Sequence, residues 1–139
     1  VVASISPQAR ASLAERFGLT PLETQARLLS FLRREGVHFL LDSSLAADFS
    51  LLEAGEEFVQ RYRRLLVLTS ACPGWVCYAE KTAPEALPCM STVKSPQQIM
   101  GALVKRVFPQ AVEEAPRGVF HVAIAQCYDK KLEASRKDF

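Results

Sequence analysis

Val1-Val2-Ala3-Ser4-Ile5-Ser6-Pro7 opens the chain, and the reading of the fold starts from it. Residues 1–5 form a short, β-branched-rich run with no alternation of apolar and polar positions. Ser6 then offers a capping hydroxyl, and Pro7 stands where a first helical residue would. A strand feeding directly into a helix is half of a βα unit. The same uninterrupted apolar character recurs at 37–41, 65–68 and 119–125. Antiparallel strands with one wet face would alternate, so these runs predict parallel strands covered on both faces.

Helix signals fill the intervals. Thr20-Pro21 and Ser95-Pro96 repeat the pattern of Ser6-Pro7, and Thr20 with Glu23, Ser50 with Glu53 and Ser95 with Gln98 have capping-box spacing. Leu22, Ala26 and Leu29 follow the helical period, as do Ile99, Leu103 and Val107. Gly18 and Gly36 sit where helices should stop, and Pro109 is expected to end the last long one. The predicted order is strand, two helices, strand, helix, strand, two helices, strand and the start of a further helix. This is an α/β pattern: a parallel sheet of about four strands, right-handed crossovers and helices on both faces, in a single lobe over residues 1–139. Arg61-Tyr62-Arg63-Arg64 runs into Leu65 with no turn residue, which predicts a missing loop between 64 and 65.

Composition narrows the function classes. With 139 residues, 49% of them hydrophobic and 23% charged, the chain suits one globular core. A net charge of +2, scattered along the sequence, argues against nucleic acid as a partner. No apolar run reaches the ~18 residues of a membrane span. The first residues carry neither a secretory signal nor an initiator methionine, so a segment of a longer protein is expected. The four cysteines do not suggest a disulfide scaffold; an intracellular setting, with buried, catalytic or metal-bound thiols, is the expectation.

Ligands of an open parallel sheet bind beyond the carboxyl ends of its strands. Cys72, in Thr69-Ser70-Ala71-Cys72-Pro73-Gly74-Trp75, and Cys127, in Gln126-Cys127-Tyr128-Asp129-Lys130-Lys131-Leu132-Glu133, both follow expected strands and precede expected helix starts. Helix N-termini favour thiolates, the form that binds metal. Position alone leaves two readings of equal weight: a converging ligand pair, or two unrelated buried cysteines. Cys72 and Cys77 share one ferredoxin spacing, but Cys89, expected in a loop after Pro88, and Cys127 do not complete it, so Cys77 and Cys89 read as structural. His38 and His121 begin strands, roughly 20 Å of extended chain from the proposed rim, and read as satisfied sheet-edge residues. Arg61, Arg63 and Arg64 read as charge at a helix carboxyl end rather than an anion patch. Lys130, Lys131 and Glu133 adjoin Cys127, although a solvated helix start would look the same. Trp75 is expected to pack on the sheet.

At these segments the sequence resembles the iron-only hydrogenase family. Residues 69–75 resemble its Thr-Ser-Cys-Cys-Pro-Gly-Trp motif, Lys94-Ser95-Pro96-Gln97-Gln98 its Lys-Ser-Pro-Gln-Gln segment, and residues 125–133 its second cysteine motif, usually Met-Pro-Cys followed by lysine and glutamate. Residues 45–53 resemble the segment preceding the first motif. Within the superfamily, residues 70–81 and 127–135 are most similar to the eukaryotic cytosolic iron–sulfur assembly proteins related to the nuclear prelamin A recognition factor.

The resemblance implies a non-catalytic iron–sulfur protein, a carrier or adaptor working in the cytoplasm, with the nucleus as a second compartment. Its implied partners are other cytosolic iron–sulfur assembly and targeting proteins, with neither nucleic acid nor membrane. Cys72 and Cys127 match two of the four thiolate ligands of a 4Fe-4S cluster, and Ser70, Ser95, Gln97 and Lys130 are implied neighbours. The other two ligands, and the family's N-terminal ferredoxin-like cysteines, are expected outside these residues. Ala71 stands where true hydrogenases carry a proton-donating cysteine, and a methyl group cannot exchange a proton. Ala125-Gln126 replaces the usual Met-Pro. Two alternatives stand beside this reading: an active hydrogenase with a relay that bypasses Ala71, or a metal-independent module binding a prenylated prelamin A tail.

Overall fold

The computed structural model describes residues 1–62, 66–112 and 118–136. The chain is α/β and divides into two compact units, Val1–Leu45 with Met100–Gln126 and Ala46–Ile99 with Cys127–Phe139. The proposed loop between 64 and 65 lies outside the described residues, as do Arg63 and Arg64.

The first unit is built on a parallel sheet of β1 (Val2–Ile5), β2 (Phe39–Asp42) and β3 (His121–Ile124), in the order β2-β1-β3. Val2 pairs with Phe39 on one side and His121 on the other, and Ile5 with Asp42 and Ile124. The central strand is buried throughout, Ala3 and Ile5 completely. Coverage of both faces holds for β1 alone, because Phe39, Val122 and Ala123 on the outer strands are exposed.

Local chemistry sets the helices of this unit. At α1 (Pro7–Phe17), Ser6 Oγ accepts from the Ala9 N–H at 3.1 Å, and Gly18, with φ 61°, closes the other end in the left-handed region that suits glycine. At α2 (Pro21–Arg34) both halves of the capping box form between Thr20 and Glu23. Arg10 of α1 pairs with Asp42 at the end of β2, which also accepts from the Ser44 N–H and hydroxyl. Burial opposes ionisation of Asp42, but the Ser44 bonds and the guanidinium outweigh it and hold the carboxyl below its usual range.

Four expectations change. Among the described residues the sheet has three strands, not four: the 65–68 run contributes one parallel bridge, Leu68 to Met90, and Leu66 is 69% exposed. Apolar character alone could not distinguish a buried strand from a tethered loop. Ser50 does not start a helix; it lies inside α3 (Ser44–Arg61), where its hydroxyl donates to the Lys94 carbonyl. Cys89 closes a 3-10 turn, Pro84–Cys89, rather than lying in a loop. Pro109 does not end its helix. After α4 (Pro73–Thr82) and α5 (Pro96–Ala102), the backbone widens to a π turn over Leu103–Val107, where the Phe108 N–H reaches the Leu103 carbonyl, and continues as α6 (Phe108–Ala111). The wider turn accommodates a proline that has no N–H to donate. The last element among the described residues is α7 (Lys130–Ser135).

Candidate metal centre

Cys72 and Cys127 both belong to the second unit. Cys72 is the N-cap residue of α4, as its Pro73 neighbour predicts, and its side chain makes no capping bond. It is exposed, not the terminus of a buried strand. Its backbone N–H donates to Ser70 Oγ at 3.1 Å, so Ser70 folds the turn that presents the thiol. Cys127 is half-buried and stands ahead of α7, with Tyr128 and the N-cap residue Asp129 between. None of the four cysteines is in a disulfide.

Three contacts join the two cysteine segments. Lys130 Nζ donates to the carbonyl of Ala71, the residue before Cys72, at 2.5 Å. A β-carbon placed on Gly74 would lie 2.5 Å from Asp129 Oδ2 and 3.7 Å from Cys72 Sγ, so only glycine allows the Asp129 carboxylate this close to the start of α4. Further along, Arg136 donates to both carboxylate oxygens of Glu80, at 2.9 and 2.7 Å, and stands 3.9 Å from Cys77 Sγ. The bidentate pair pins the end of α7 to α4.

Behind these contacts lies a buried carboxylate. Glu133 is 4% exposed. It accepts from Ser95 Oγ, from Gln98 Nε2 at 2.8 Å and from Lys130 Nζ at 2.8 Å. Gln97 Nε2 donates to the Lys130 carbonyl at 3.0 Å. The Ser95–Gln98 capping box is thus half-formed: the Gln98 N–H reaches Ser95 Oγ at 3.4 Å, but the glutamine side chain turns to Glu133 instead. Of the residues expected around the cysteines, Ser95, Gln97 and Lys130 meet in one network, and Ser70 braces Cys72. Glu133 is the anion that gathers that network.

A second carboxylate, Glu57 on α3, was not anticipated. It accepts from Ser91 Oγ, from the Thr92 N–H and hydroxyl at 3.0 Å each, and from Arg61 at 2.7 Å. Burial pushes its pKa upward, yet these donors, Ser91 first, bring it down to about 2. Arg61 also donates to the carbonyls of Pro88 and Met90, so it holds the loop ahead of α5 as well as the helix end. A glutamate four residues before an arginine reads as a surface helix pair, and nothing in that spacing reveals the Ser91-Thr92 donors. Asp129 was also missed; Gly74 in the motif was its only trace.

The remaining candidates have partners of their own. His121 Nε2 lies 2.9 Å from Ser4 Oγ, and His38 Nδ1 lies 3.0 Å from the chain's own amino terminus. Burial, with the Lys105 cation second, lowers the His121 pKa. Trp75 stacks on Tyr78 with ring centres 6.1 Å apart. A cavity of about 200 Å³ lies beside the Cys72 turn, with Ser70, Ala71, Lys94 and Ser95 among its lining residues. Among the described residues, no group of three or more His, Cys, Asp or Glu side chains could hold a metal ion, and no helix is long and apolar enough to cross a membrane.

Two thiol-bearing segments, one of them at a helix N-terminus, are thus tied together by a lysine and a buried glutamate, and thiols are the soft donors that iron and zinc take. The chain belongs to the family described as iron-only hydrogenase large subunit, C-terminal domain, which it matches over residues 1–139. It is 56% identical to cytosolic iron-sulfur assembly component 3 of Mus musculus, covering 100% of this chain and 31% of that protein. It is 47% identical to the nuclear prelamin A recognition factor of Rattus norvegicus, covering 99% of this chain and 32% of that protein. It is also similar to an apo FeFe-hydrogenase from Chlamydomonas reinhardtii, with TM-score 0.83, 34% identity and coverage of 97% of this chain and 35% of the other. The chain therefore spans about a third of the length of the relatives it matches.

Proposed function

We propose that this chain is the part of a cytosolic iron–sulfur assembly protein that supplies two thiolates, Cys72 and Cys127, to a 4Fe-4S cluster, and that it works as a carrier or adaptor rather than as a hydrogenase. Relatives named as cytosolic iron-sulfur assembly components support the cytosolic setting and partners within that machinery. The observation that carries the reading is the joining of the two cysteine segments through Lys130 and Ala71 and through Asp129 and Gly74. Loops 59 residues apart are held together at the point where each presents a thiol.

The donor set fits an iron–sulfur cluster in part. Thiolate sulfur is the ligand such clusters take, and Cys72 stands at the N-terminus of α4. Two thiolates are half of a cubane's ligand set, so the reading requires two more from outside residues 1–139. A bound cluster would supply one-electron chemistry or transferable iron and sulfide. Ser70 orients Cys72, and Lys130, Gln97 and Glu133 hold the Cys127 segment. Ala71 lines the adjoining cavity with a methyl group. In the hydrogenase pattern that position gives and takes a proton; here nothing at residue 71 can.

The test is iron and sulfide analysis of anaerobically purified full-length protein. Cys72→Ser and Cys127→Ser should each lower bound iron and sulfide, with loss of client maturation. Retention of full iron by the double variant, or strong hydrogen evolution by the unaltered protein, would overturn the proposal.

A further inference from the structure

We propose that Lys130 is a positioning residue that holds the Cys127 segment against the Cys72 turn before any metal is present. The proposal draws its biological meaning from the cluster reading above, but its geometry stands without it.

The lysine is held at several points. Its ammonium group donates to the Ala71 carbonyl at 2.5 Å and pairs with Glu133 Oε2 at 2.8 Å. Its backbone carbonyl accepts from Gln97. The side chain is only 19% exposed, whereas a lysine on a solvated helix start would extend into water. Glu133, fixed by Ser95 and Gln98, anchors the ammonium, leaving a second N–H to reach across to Ala71. A charged donor makes a stronger bond to a backbone carbonyl than a neutral one does. It acts on the backbone of residue 71, one peptide from Cys72, so it sets where that turn sits whatever side chain residue 71 carries.

Of the other two holds, the Arg136–Glu80 pair acts further along both helices, beside Cys77, and the one next to Cys72 is weaker. Asp129 approaches Gly74 closely, but no hydrogen bond joins the two, and α4 lacks a side-chain cap. Lys130 makes the hydrogen bond that ties the Cys127 segment to the residue before Cys72. Fixing both loops in advance removes conformational entropy that ligand capture would otherwise have to overcome.

Cross-linking of the metal-free full-length protein with dibromobimane, a short reagent that must capture two thiols, tests this. Peptide mapping separates the Cys72–Cys127 product from products of the other cysteines. Lys130→Met should form the Cys72–Cys127 product about tenfold more slowly, the effect of losing one charged hydrogen bond, with its far-ultraviolet circular dichroism unchanged. Lys130→Arg, which keeps a charged donor of similar reach, should restore most of the rate. If Lys130→Met does not fold, Lys130→Gln, neutral and too short to reach, carries the same comparison. An unchanged rate in the folded neutral variant would overturn the proposal, as would absence of the product in the unaltered protein. Full-length protein that takes up no iron, yet shows a Lys130-dependent cross-link, overturns the cluster reading alone and still supports the positioning role.

Discussion

Among the described residues, Val2, Ala3, Ile5, Ala9, Ala14, Val37, Met100, Val104 and Val119 are buried in the first unit; in the second, the buried apolar side chains are Ala46 and Ala79, with Pro73 at a helix start. The second unit relies instead on two carboxylates, Glu57 and Glu133, each gathering three or more donors, and on Arg61 and Arg136. Apolar burial is non-directional and tolerates small shifts, whereas a hydrogen-bonded carboxylate fixes its donors in place and leaves a costly charge if they are removed. The unit that carries the four cysteines is thus held by directional bonds. The unit that carries the sheet is held by packing.

The largest effect that would break this contrast lies in the sheet. Ile5→Ala opens a cavity in the fully buried central strand and should cost roughly 2–5 kcal/mol, read by urea denaturation. A smaller loss would mean that β1 carries less of the packing than its burial indicates.

Acid should expose the other unit. The Glu57 carboxyl has its pKa lowered from 4.5 to about 2, so the unfolded chain binds the proton first as pH falls. Stability from this group is complete above pH 4.5 and is lost as pH drops toward about 2, amounting to about 3 kcal/mol. Denaturation midpoints measured across that window should fall in the unaltered chain, and the slope attributable to Glu57 should vanish in Glu57→Gln.

Gly74→Ala should destabilise by ~1 kcal/mol, since its new methyl would meet the Asp129 carboxylate. Adding Asp129→Ala should recover most of that, and a double-mutant cycle showing no coupling would remove Asp129 from the contact.

The smallest expected effect returns to the sheet. Burial and the Lys105 cation depress the His121 pKa, so the unfolded chain takes the proton first. Its contribution is present above the ordinary histidine value, roughly pH 6.5, and is lost gradually below it. A shallow decline in thermal midpoint from pH 7 to pH 6, absent in His121→Gln, is the expected reading.

Much of the fold was legible because it is local. Ser6, Thr20 and Gly18 act on backbone groups a few residues away, and each behaves as its sequence neighbourhood implies. Residues 65–68 failed because a short apolar run has the same appearance in a buried strand and in a loop tied by one bridge. Ser50 failed because capping spacing also occurs inside a longer helix. The cysteine segments were legible from their motifs, but Glu57 and Asp129 were not, since a lone carboxylate in sequence does not show which donors will surround it.

By itself, then, the sequence determined the parallel α/β character, most helix starts and the two thiols worth following, because strand composition and capping depend on near neighbours. Tertiary structure alone decided that Lys130 reaches Ala71, that Glu133 is buried beneath it and that Gly74 admits Asp129. Those contacts join residues far apart in the chain, and only folding decides which distant donor meets which acceptor.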